Sequence, residues 1–167
     1  MADARPEIGS TADAAGIKTN YLEAGEGAPI VLVHGSGPGV TAYANWRLVL
    51  PELGRDFRVI APDMAGFGFT DRPEGIEYGL RTWVDQVLGL MDSLDLQRVS
   101  LVGNSFGGSI ALRLAAEHPD RVDKLVLMGS MGVSFPITEG LDRVWGYTPS
   151  FENMRRVLDV FAYSREL

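Results

Sequence analysis

The chain has 167 residues, 46% hydrophobic and 22% charged, with a net charge of -7 spread over interspersed acids and bases. This is the composition of a globular domain with a real core, and it offers no basic stripe to nucleic acid or to an anionic membrane surface. With no cysteine there is no disulfide, no thiolate metal site and no cysteine nucleophile.

Met1 to Gly16 is polar and rich in small residues, without the charged start and apolar stretch of a secretory signal, and no apolar run reaches membrane-spanning length. A cytoplasmic protein is the expectation. Ile17 to Glu23 predicts a short strand, broken by Glu26-Gly27-Ala28-Pro29. Ile30 to Val33 is a continuous β-branched run, as a strand buried on both faces should be. The glycine-rich loop His34-Gly35-Ser36-Gly37-Pro38-Gly39 follows, and Trp46 to Leu53 has helical spacing. Arg58 to Ala61 predicts another buried strand, followed by a long loop from Met64 to Pro73.

Leu80, Val84, Val87, Leu88, Met91 and Leu94 recur three and four apart, which predicts an amphipathic helix over 80–94. Val99 to Gly103 predicts a strand running directly into Asn104-Ser105, and Phe106 to Glu117 resumes helical spacing until His118-Pro119. Leu125 to Met128 predicts one more strand, then an irregular stretch, then a last helix from Phe151 to Tyr163. Alternating strand and helix with short connections implies an open α/β fold, a mostly parallel sheet with helices on both faces. In such sheets reactive groups collect at the carboxyl ends of the strands, where the loops after Val33, Ala61 and Val102 begin.

Gly103-Asn104-Ser105-Phe106-Gly107 is a Gly-x-Ser-x-Gly run between strand and helix. It forms a tight turn that lifts the serine hydroxyl into the open, while the helix start favours developing negative charge. Ser105 is therefore the candidate nucleophile. Acyl chemistry needs two oxyanion donors, and the Phe106 and Ser36 N–H groups are the candidates. Neither dinucleotide nor Walker glycine spacing is present in the 34–39 loop. His34 directly follows a strand and reads as a residue that orients the loop, and His118 lies at the far end of the helix after Ser105. Asp63, among Pro62, Gly66 and Gly68, reads as a turn stabiliser, and Asp123 starts a strand at its amino end, away from the site.

Together His34-Gly35-Ser36-Gly37-Pro38-Gly39 with Asn45-Trp46, Ala61-Pro62-Asp63-Met64-Ala65-Gly66-Phe67-Gly68, Gly103-Asn104-Ser105-Phe106-Gly107-Gly108 and Val144-Trp145-Gly146-Tyr147 resemble the meta-cleavage product hydrolases of the α/β-hydrolase superfamily. The resemblance covers nearly the whole chain. It implies hydrolysis of a carbon–carbon bond in 2-hydroxy-6-oxohexa-2,4-dienoate ring-cleavage products, giving 2-hydroxypenta-2,4-dienoate and a carboxylic acid, without metal or organic cofactor. It also implies Ser105 as nucleophile, Ser36 and Phe106 as oxyanion donors, and Gly35, Gly37, Asn45, Asn104 and Trp145 at the substrate. Asn45 has a second reading as a helix N-cap before Trp46.

In this superfamily nucleophile, acid and histidine follow in that chain order, yet only His118 comes after Ser105. The acid and base are thus expected beyond Leu167, with residues 1–130 as the first part of the core, 131–167 as the start of a lid, and the 167-residue chain inactive by itself. Self-association is among the expectations, since such enzymes are commonly homo-oligomers. A carboxylesterase or lactonase of the same fold, or a non-catalytic binding fragment, are the competing readings.

Overall fold

Six strands form one sheet among residues 5–161, which the computed structural model describes. They are β1 (Ser10–Ala14), β2 (Ile17–Ala24), β3 (Ala28–Val33), β4 (Phe57–Pro62), β5 (Val99–Asn104) and β6 (Val122–Met128), in the order β1-β2-β4-β3-β5-β6. The pairs β3 with β4, β3 with β5 and β5 with β6 are parallel, while β1 with β2 and β2 with β4 are antiparallel. The sheet is mostly parallel, as expected.

Period-two alternation along the strands makes two cores. Tyr21, Val31, Val33, Ile60 and Leu101 face one side, where α3 (Leu80–Ser93) and α4 (Phe106–Glu117) bury Val84, Val87, Leu90, Met91, Ile110 and Leu114. Leu22, Ile30, Leu32, Val59 and Ala61 face the other, under α1 (Ala42–Trp46) and α2 (Leu50–Leu53), with Trp46 buried among them. Each such fully buried aliphatic side chain contributes about 1.5–3 kcal/mol of transfer free energy. Because β3, β4 and β5 are parallel and adjacent, the loops leaving their carboxyl ends converge at one edge of the sheet, and the site lies there.

Four expectations change. The single helix over 46–53 is two short ones, because Thr41 caps a start four residues earlier and Pro51, without an N–H, suits the first turn of a new helix. The polar stretch 10–14 is a strand, a sheet edge with one partner that needs no apolar run. The strand expected from Leu125 begins at Val122, paired with Val99. The stretch read as irregular holds α5 (Glu139–Trp145), capped by Thr138. The final helix is α6 (Phe151–Phe161), and the remainder of the expected span to Tyr163 lies outside the described residues.

Two compact units divide the chain, one through Gly132 and one from Val133. In the first, β6 is a sheet edge on which Val126 is 51% and Met128 47% exposed. In the second, α5 and α6 pack together, and Phe151, Met154 and Leu158 form an exposed stripe at helical spacing. Among the described residues no helix is long and apolar enough to cross a membrane.

Candidate active site

Ser105 is the residue that turns β5 into α4. Its backbone, at φ +50° and ψ −113°, occupies a region that costs a non-glycine residue on the order of 1–3 kcal/mol and persists only where its surroundings hold it. The Ser105 N–H donates to the Met128 carbonyl at 2.8 Å, and the Ser105 carbonyl accepts from the Gly108 and Met131 N–H groups at 3.0 and 3.1 Å. A Cβ on Gly103 would run into the backbone of Gly107 and Gly108, and one on Gly107 into the carbonyls of Val33 and His34. Larger residues at these two positions would therefore push the elbow off the sheet. Ser105 is half-buried, and Phe106 follows it as the first residue of α4, whose leading N–H groups carry partial positive charge.

The glycine loop after β3 lies against this turn. A Cβ built on Gly35 would sit 3.2 Å from Asn104 Nδ2 and 3.6 Å from Ser105 Cβ, so a larger residue at position 35 would crowd both. The Gly35 N–H donates to Asn45 Oδ1 at 2.8 Å, and Asn104 Nδ2 donates to the same oxygen at 3.1 Å. With the Gly35 N–H committed, the Ser36 N–H is the next donor along the loop, ahead of Gly37. The N-cap reading of Asn45 is overturned. Thr41 is the cap, its Oγ1 accepting from the Ala44 N–H at 2.9 Å, and Asn45 lies inside α1.

His34 is fully buried, and both ring nitrogens are engaged. Nε2 accepts from the Met64 N–H at 2.9 Å, and Nδ1 meets the Gly35 carbonyl at 2.6 Å. An amide can only donate and a carbonyl only accept, so the neutral tautomer protonated at Nδ1 satisfies both. Burial pushes the imidazole pKa below its ordinary 6.5, against smaller raising effects from the Gly35 hydrogen bond and the Asp63 charge. This side chain holds two loops together and is in no state to take a proton from Ser105.

Asp63 is also fully buried. Its carboxylate accepts from the Ala42 N–H at 2.6 Å, the Phe69 N–H at 2.8 Å and Asn20 Nδ2 at 2.9 Å, joining the first turn of α1, the loop after β4 and β2. The turn-stabilising reading holds. His118 is the C-cap of α4, thirteen residues from Ser105 and roughly 20 Å away by helical rise. Asp123 stands at the amino end of β6, 3.5 Å from an Arg98 nitrogen. Trp145, in the second unit, is 58% exposed and faces Phe135 with ring centroids 6.4 Å apart.

Sequence reading missed what supports these groups. Phe106 packs edge-on to Trp83 at 4.6 Å and against Phe67 at 5.7 Å, and Phe67 packs on His34 at 5.2 Å. Gln86, buried on α3, accepts from the Ala65 N–H and donates to the Asp63 carbonyl and to Thr19, fixing the start of the loop after β4. A signal existed for Gln86: it lies three residues from Trp83 and four from Leu90, on the apolar face. A cavity of about 410 Å³ separates Gly37–Thr41 from Gly66–Phe69, with Arg72 also in its lining. No three His, Asp or Glu among the described residues converge as metal ligands would.

Residues 28–162 match the family model described as the alpha/beta hydrolase fold. Over 162 residues the chain is 62% identical to a 2-hydroxymuconate semialdehyde hydrolase of Pseudomonas sp. (strain CF600), covering 97% of this chain and 57% of that protein. It is 60% identical over 167 residues to a 2-hydroxy-6-oxo-2,4-heptadienoate hydrolase of Pseudomonas putida F1, covering 100% of this chain and 60% of that one. A solved meta-cleavage product hydrolase from Pseudomonas fluorescens IP01 superimposes with a TM-score of 0.84 at 57% identity, over 96% of this chain and 59% of that one. The chain thus spans less than two thirds of the length of each of these relatives.

Proposed function

We propose that this chain, which belongs to the α/β-hydrolase fold family, presents the nucleophile and oxyanion hole of a carbon–carbon bond hydrolase acting on 2-hydroxy-6-oxohexa-2,4-dienoates, the 2-hydroxymuconate semialdehyde class. The observation that carries this reading is the hydrogen bond at 3.1 Å from Asn104 Nδ2, on the residue before Ser105, to Asn45 Oδ1. It sets two neutral amides next to a nucleophile. Such groups orient a polar dienoate without adding a charge that would trap the anionic product.

The dienol first becomes its keto tautomer, because only then can the departing carbon leave as a delocalised dienolate. Ser105, or water activated by it, attacks the C6 carbonyl. The Phe106 and Ser36 N–H groups receive the developing oxyanion, and such a preorganised donor contributes about 3–4 kcal/mol to the barrier reduction. Asn45 and Asn104, with Gly35 and Gly37, hold the dienoate end. The carbon–carbon bond breaks and the dienolate collects a proton to give 2-hydroxypenta-2,4-dienoate; the acyl part leaves as a carboxylic acid, directly where water attacked, or after a water molecule hydrolyses the Ser105 ester where Ser105 attacked and restores its hydroxyl. This chemistry needs neither a metal nor an organic cofactor.

Ser105 still requires a base, and His34 and His118 are both unsuited to that role, one engaged at both nitrogens and one remote. Neither histidine of the described residues therefore serves as that base. The reading fits a cytoplasmic catabolic enzyme that takes a small diffusible acid.

The test is loss of the visible absorbance of the yellow dienoate with the full-length gene product, run beside p-nitrophenyl ester turnover. Preference for the dienoate is expected. A strong preference for esters would instead assign the site to a carboxylesterase or lactonase.

A further inference from the structure

Two consecutive peptide groups meet at Gly35, and each is gripped by a different side chain. The N–H of the first donates to Asn45 Oδ1 at 2.8 Å, and the carbonyl of the second accepts from His34 Nδ1 at 2.6 Å. A trans peptide is planar, so fixing the Gly35 carbonyl also fixes the Ser36 N–H, which points the opposite way in the same plane. Glycine has the freest backbone of any residue, and with both flanking planes held, that freedom is removed. The oxygen of Asn45 does a second thing: it accepts from Asn104 Nδ2 at 3.1 Å, and Asn104 is the residue before Ser105. One atom therefore ties the glycine loop to the nucleophile elbow.

Asn45 is itself well anchored. Its helix is capped by Thr41, the Ala42 N–H is held by the buried Asp63 carboxylate, and the neighbouring Trp46 is buried in the core. We infer that Asn45 is a positioning residue of the oxyanion hole, acting through its side-chain oxygen to set the distance between the Ser36 and Phe106 donors, whatever its amide nitrogen contributes to substrate. The inference rests on the serine-hydrolase part of the function proposed above. It does not depend on the dienoate being the substrate.

The test compares Asn45→Ala with Asn45→Asp in the full-length gene product, using p-nitrophenyl acetate beside the dienoate. The acetate ester has no carboxylate to be held, so a residue that only binds the dienoate would leave its turnover alone. With the loop released, Asn45→Ala lowers kcat for the ester about tenfold or more. Asn45→Asp keeps an acceptor for Gly35 and Asn104 and recovers part of the ester kcat lost in Asn45→Ala, while its added charge raises KM for the anionic dienoate.

Ester kcat unchanged in Asn45→Ala, with only the dienoate KM raised, overturns the inference, and so does Asn45→Asp falling as far as Asn45→Ala. Hydrogen exchange gives a reading that needs no variant: the Gly35 amide is protected, and rapid exchange there contradicts the clamp even if Asn45→Ala fails to fold. If the protein turns over the ester but not the dienoate, the proposed substrate class fails, while the ester kinetics still decide the role of Asn45.

Discussion

His34 Nε2 accepts the Met64 N–H at 2.9 Å, so the histidine nearest in sequence to the glycine loop bridges the loop after β3 to the loop after β4. Protonation at Nε2 would replace that acceptor with a donor facing another donor. Burial holds the folded-state pKa below the ordinary 6.5, which means the folded chain binds this proton less readily than the unfolded one. The stability it contributes is complete above pH 6.5 and is lost as pH falls from there through the folded-state value. Urea midpoints measured from pH 7.5 to 5 should fall on the acid side, and His34→Gln should flatten the fall in this window. An unchanged slope in His34→Gln would contradict the assignment.

Asp63 makes a second prediction. Three donors converge on its buried carboxylate, and Asp63→Asn turns one acceptor oxygen into a donor facing one of them. The expected loss of stability is roughly 2–5 kcal/mol. Denaturant unfolding checks it, and a loss below measurement error would show that the network relaxes around the change.

Strain at Ser105 predicts the opposite sign. Ser105→Gly places the one residue indifferent to φ +50° at the elbow, and the chain should gain roughly 1 kcal/mol. Ser105→Ala keeps the strain and should leave stability nearly unchanged. Equal stability of the two variants would mean that the elbow conformation is not strained.

Much of this was readable from sequence wherever one physical pattern dominated. Val31, Val33, Ile60 and Leu101 announce themselves as strand cores because both faces are covered and the runs are continuous. The elbow was legible because Gly103 and Gly107 fall where a Cβ would meet backbone. Ser10–Ala14 was not, since an edge strand paired on one side needs little apolar surface. Asn45 was misplaced by one alternative reading because asparagine suits caps, and only the fold shows Thr41 in that position. The shared oxygen of Asn45 was beyond reach altogether: it depends on residues 35, 45 and 104 meeting across three elements.

The edge strand predicts behaviour in solution. Val126, Leu127 and Met128 are exposed on β6, beside peptide groups that have no strand partner on that side among the described residues. Such an edge invites pairing with another chain. The 167-residue chain should show a rising weight-average mass with concentration in sedimentation, and Val126→Lys should reduce it. A monomer at all concentrations would contradict this.

Ser105 is proposed to perform the attack, with neither His34 nor His118 as its base. The most direct measurement is the bleaching rate of the yellow dienoate with the full-length gene product, its Ser105→Ala variant and the 167-residue chain alone. Bleaching by the first is expected, with a fall of at least about a thousandfold in Ser105→Ala and no turnover by the 167-residue chain. Bleaching by Ser105→Ala at the unsubstituted rate, or turnover by the 167 residues unaided, would contradict the claim.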